Sequence, residues 1–96
     1  MATVASYPYI STDPQIFGGK PIVDGQRIRV LDVAILHLYR GLEPSEICGV
    51  YPTLTLAHVH AALTWFYDHR DDMIAAIEQE RQTAEAFRKQ HPDLVR

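Results

Sequence analysis

Chain breaks restrict this fold more than any motif does. Gly41, the Tyr51-Pro52 pair and Pro92 divide everything beyond Val30 into segments of helical length, because glycine supplies the left-handed residue that closes a helix and proline cannot continue one. In Leu31 to Arg40, the apolar residues Leu31, Ile35, Leu36, Leu38 and Tyr39 fit a short buried helix. A second helix opens on Glu43-Pro44-Ser45-Glu46 and runs to about Val50, burying Ile47. Proline loses nothing at a first helical position, and acidic groups suit the positive end of the dipole. Thr55 is a good N-cap for a third helix with Leu56, Val59, Ala62, Leu63 and Phe66 on one face. A fourth, Asp71 to about Gln90, opens with acids and closes with Arg88 and Lys89, as the dipole favours.

The preceding segment has a different grammar. Met1 to Ala5 read as a loose leader, and Ser6 to Ile10 have β character that Pro8 confines to an edge. After a turn at Asp13-Pro14, Asp24-Gly25 gives the strongest hairpin signal in the chain, since both residue types tolerate the positive φ of a type I′ turn. Strand alternation then sends Ile28 and Val30 to one side and Arg27 and Arg29 to the other. The predicted fold is mainly α: a short N-terminal β-unit, a trihelical helix-turn-helix-like (homeodomain-like) core and a long C-terminal helix. Its division falls near Asp68, giving residues 1–67 as the domain and 68–96 as a helical arm.

Ninety-six residues suffice for one such domain. A lone cysteine, Cys48, excludes an internal disulfide and a cysteine-rich zinc site. No window approaches the ~18 apolar residues of a membrane span, so a cytoplasmic protein without membrane contact is expected. The net charge of −3 disfavours strong non-specific nucleic-acid binding. The acidic surplus lies mostly after residue 67, and residues 51–67 carry no charged side chain.

The ordered set Gly18-Gly19-Lys20-Pro21-Ile22-Val23, then Gly25, Arg27, Ile28 and Val30, Gly41-Leu42 with Pro44, Glu46 and Ile47, and Tyr51-Pro52, Leu54-Thr55, Val59 and Ala62-Leu63 resembles the domain-of-unknown-function family numbered 433. The resemblance covers about residues 9–67. It implies a helix-turn-helix-like domain behind short strands, and an antitoxin-like protein that binds operator DNA and sequesters a PIN-like ribonuclease toxin. Asp24 stands where that family often has a basic residue, and Arg29 where it often has proline. His58 replaces the glutamate or glutamine that completes a capping box after Thr55, so the third helix is expected to start less firmly or to free His58 for another contact.

If the second and third helices form a helix-turn-helix, Thr53, Thr55, Ala57, His58 and Ala61 lie nearest the major groove. They include none of the side chains that make bidentate base contacts, and the same geometry serves dimerisation. Lys20, Arg27 and Arg29 form a candidate phosphate-contacting cluster, or a solvated or salt-bridged face. For a protein partner the candidates are Trp65, which shares a face with the small residues Ala57, Ala61 and Thr64, and the stripe Met73, Ile77, Glu80, Ala84 and Phe87. That stripe suits a partner's groove or a homodimer equally. His58 and His60 point roughly 200° apart on a helix, which argues against a metal pair. No nucleophile elbow or phosphate loop is present, so neither catalysis nor a cofactor is expected. A homodimer is expected on either reading; the second reading of the whole is a homodimeric interaction module that does not bind DNA.

Overall fold

The computed structural model describes residues 7–91. Its elements are β1 (Ile10–Ser11), a 3-10 turn at Phe17–Gly19, β2 (Ile22–Val23), α1 (Val30–Leu38), α2 (Pro44–Val50), α3 (Leu56–Asp68) and α4 (Arg70–Gln90). This is the predicted mainly α architecture with a short N-terminal sheet. The leader expected over Met1–Ala5 and the stop at Pro92 lie outside the described residues.

The helix ends follow the expected chemistry, with one correction. Gly41, just beyond α1, takes φ +69°, and Pro44 occupies the first turn of α2. At α3 the Thr55 hydroxyl accepts the His58 N–H at 3.3 Å, and His58 Nδ1 accepts the Thr55 N–H at 2.9 Å. His58 therefore completes the capping box that its residue type was expected to weaken. A ring nitrogen reaches the orphan donor as a carboxylate would.

The β-unit is built differently from a simple hairpin. β2 pairs antiparallel with β1, Ile10 opposite Val23 and Ser11 opposite Ile22. A turn forms at Asp24-Gly25, closed by the Gln26 N–H on the Val23 carbonyl at 2.9 Å, but of the two only Gly25 takes a positive φ, +71°, so it is not the type I′ turn expected, and its returning limb only touches β2. The Val23 N–H donates to the Ile28 carbonyl at 2.9 Å, and Ile22 bridges to Arg29. The limb ends there because α1 begins at Val30, one residue sooner than its apolar pattern suggests. An Asp32 carboxylate oxygen 3.1 Å from the Arg29 N–H caps that early start. Of the expected β segment Ser6–Ile10, Ser6 lies outside the described residues, and over Tyr7–Ile10 only Ile10 joins a strand, since Tyr9 sits at φ +69°.

Val23, Val30, Val33, Ile47, Val59 and Phe66 are fully buried and form the centre of the core. Phe66 projects from α3, which packs on both α1 and α2. Burying one such side chain contributes about 1.5–3 kcal/mol. After His69, α4 turns back so that its opening turns lie on α1 and α3, and Met73 and Ile77 join the same core. Half of the stripe expected to face a partner is thus satisfied within the monomer.

Candidate interaction surfaces

Arg29 is held in an ion-pair network between α1 and α4. Its Nη2 lies 2.8 Å from Asp32 Oδ1 and its Nε 3.2 Å from Asp32 Oδ2, a two-point grip on one carboxylate. Nη1 lies 2.6 Å from Glu80 Oε2, and Lys20 Nζ reaches the same oxygen at 3.5 Å. The guanidinium sits 5.6 Å from the Phe17 ring centroid, and its side chain is only 18% exposed. Hydrogen bonding to Asp32 drives its pKa above the ordinary arginine value; burial opposes this and Glu80 adds to it. The sequence placed Arg27 and Arg29 on one face. The structure separates them: Arg27 is exposed, whereas Arg29 is half-buried and ties α1 to α4. Lys20 and Arg29 both spend charge on Glu80.

At the head of α3, Thr53, Thr55 and Ala57 are exposed, and His58 and Ala61 are half-buried. The Thr53 hydroxyl donates to Gln26 Oε1 at 2.8 Å, which holds the β-turn against this helix end and keeps Arg27 nearby. Tyr9 meets the His58 ring edge-on, with centroids 5.0 Å apart. Ala57, Ala61 and Thr64 form the small-residue face anticipated from sequence, and Tyr7, Pro8 and Tyr9 border it, leaving a shallow groove of about 210 Å³. Trp65 is half-buried beneath this segment. It stacks on His69 at 3.7 Å and lies 6.2 Å from Tyr7, whose hydroxyl donates to Asp68 at 3.2 Å. The close-packing partner predicted for this face is, at least in part, the chain's own N-terminal segment.

The second half of α4 is different. Every residue from 81 to 90 is exposed, including Ala84 and Phe87 of the predicted stripe. Phe87 is 48% exposed and lines a groove of about 620 Å³ with Ala84, Thr83, Gln79, Glu80, Lys20 and Arg88. Behind the helix, Ile35, Tyr39 and Ile77 border another groove of about 380 Å³. Along one flank run Glu78, Arg81, Glu85 and Arg88, joined in pairs at 2.6 Å (Arg81 to Glu78) and 3.3 Å (Arg88 to Glu85). The Arg81 guanidinium holds the Glu78 carboxyl below its ordinary range. In the sequence, Arg88 stands out only as a closing charge of the helix, and Glu78, Arg81 and Glu85 are not singled out as a row with it. Their regular spacing of three and four residues was the available signal.

Among the described residues, no cluster of three histidine, cysteine or acidic side chains is arranged to hold a metal ion. No described helix is long and apolar enough to cross a membrane. The molecule is thus a mainly α fold in which, among the described residues, four helices follow a short two-stranded sheet, and the second half of the last helix is exposed. Its residues 10–65, from β1 to Trp65, match the model of the family described as "Protein of unknown function (DUF433)". The chain belongs to that family, and α4 lies beyond the matched span. No curated protein and no solved structure matched the chain.

Proposed function

We propose that this protein is an antitoxin-like interaction module without enzymatic activity, which engages another protein chain through the second half of α4. The observation that carries the reading is the division of one helical stripe. Met73 and Ile77 are buried in the core, while Ala84 and Phe87 continue the same face into solvent beside a groove. A helix that outruns its own core and keeps its apolar register suits a partner's surface. The family resemblance makes a PIN-like ribonuclease the class of toxin to test. Co-expression with the neighbouring reading frame should yield a copurifying complex that Phe87→Asp disrupts. Absence of any complex removes the antitoxin reading.

DNA contact is the second reading, favoured by the exposed head of α3 and by the exposed Arg27, which follows in sequence the Gln26 that Thr53 holds. Because Lys20 and Arg29 are already engaged by Glu80, few cations remain for phosphates there. Any affinity for upstream DNA is expected to be modest and to show a shallow salt dependence. A shift assay across a salt series tests this, and a complex without retardation leaves toxin binding alone.

A further inference from the structure

We infer that the occupant of the exposed α4 face is a second copy of this chain, laid antiparallel; the inference rests on reading that face as a protein-contact surface. Its basis is the charge row Glu78, Arg81, Glu85 and Arg88, which reads acid, base, acid, base along one flank. Reversed about its midpoint near Thr83, the row becomes base, acid, base, acid. An antiparallel copy therefore sets Arg81 opposite Glu85 and Arg88 opposite Glu78, and the two-fold axis repeats both pairs. A parallel copy offers no such match, because facing helices then present unlike flanks, and the other flank carries Gln79, Thr83 and Gln90.

The apolar residues obey the same symmetry. With the axis near Thr83, Phe87 of each copy falls level with Gln79 and Glu80 of the other. That is the groove which Lys20, Thr83 and Ala84 border. Each arm thus supplies the side chain that fills the other's groove, giving a closed, isologous contact rather than an open chain. Ala84 lets the backbones approach near the axis. The exposed pairs within each arm are no obstacle, since such pairs are weak and readily re-shared. Acid-rich opening and base-rich closing ends favour the same orientation. Residues 70–80 hold four carboxylates against one arginine, and residues 81–90 three cations against one carboxylate.

Sedimentation equilibrium on the full chain tests the inference. Wild type should form a dimer that loosens with salt. Arg81→Glu with Arg88→Glu makes the row wholly acidic, and Glu78→Arg with Glu85→Arg makes it wholly basic. Each double variant should weaken self-association by about tenfold or more, while a mixture of the two should restore it as a heterodimer. Combining all four substitutions inverts the row and should also restore the homodimer. Circular dichroism controls for folding, and these positions are exposed. A monomeric wild type, or a dimer indifferent to all of these changes, overturns the inference. If wild type is monomeric yet Phe87→Asp still releases a nuclease, the arm remains a contact surface with a different occupant. If neither association occurs, the surface itself is refuted.

Discussion

At Arg29, a guanidinium that strand alternation would send to solvent is held by two carboxylates from different helices. The sequence carried the residue but not the outcome, because Asp32 and Glu80 are three and fifty-one positions away. Only the first of these is a local relation. Arg29→Ala should destabilise the fold by about 1–3 kcal/mol, and Arg29→Lys should recover little, since a point charge cannot reproduce the two-point grip. Arg27→Ala, on an exposed side chain, should stay within about 0.5 kcal/mol of wild type. Urea denaturation of the three variants checks the contrast. Thr55→Ala should cost about 1 kcal/mol by removing the cap of α3, read as a lower urea midpoint at unchanged slope.

The helices were legible because their punctuation is local. Gly41, Pro44 and Thr55 do where they stand what their chemistry predicts. The strands were less so. Asp24-Gly25 forms its turn, yet the ladder that β2 joins comes from Ile10 and Ser11, across a connection that no local pattern specifies. For α4 the stripe was visible in full, but not the point at which it leaves the core; that depends on where α1 and α3 end in space. A pair of substitutions separates the two kinds of apolar surface. Phe66→Ala removes a wholly buried ring and should cost about 3–5 kcal/mol, read as a much lower melting temperature. Phe87→Ala should leave monomer stability within about 0.5 kcal/mol while weakening whatever association the arm makes. Thermal melts paired with sedimentation distinguish them.

Over the whole molecule, burial is concentrated between β2 and Ile77, and the 50 Å long axis reflects an arm that extends past it. Amides of the last turns of α4 should therefore exchange much faster than those near Phe66 at low protein concentration. Raising the concentration should slow only the arm if two copies pair there. The candidate sites were readable to different degrees for the same reason. Phe87 and Ala84 stay exposed on the part of α4 that runs past the core, where Phe87 meets the His91 ring at 4.5 Å, whereas Lys20 and Arg29 are claimed by Glu80 through tertiary approach.

His69 alone separates α3 from α4, closing one helix and opening the next at φ −127° and ψ 36°. Beyond it lie 21 residues, a rod of about 31 Å at the usual helical rise. That rod is pinned along its first half, by the stack of Trp65 on His69 with Tyr7 beside both, by Met73 and Ile77 in the core and by Glu80 beneath Arg29. The stretch beyond Glu80, about 15 Å of helix, has no freedom of aim except by bending. The direction of the arm is consequently set by anchors that its own surface never touches.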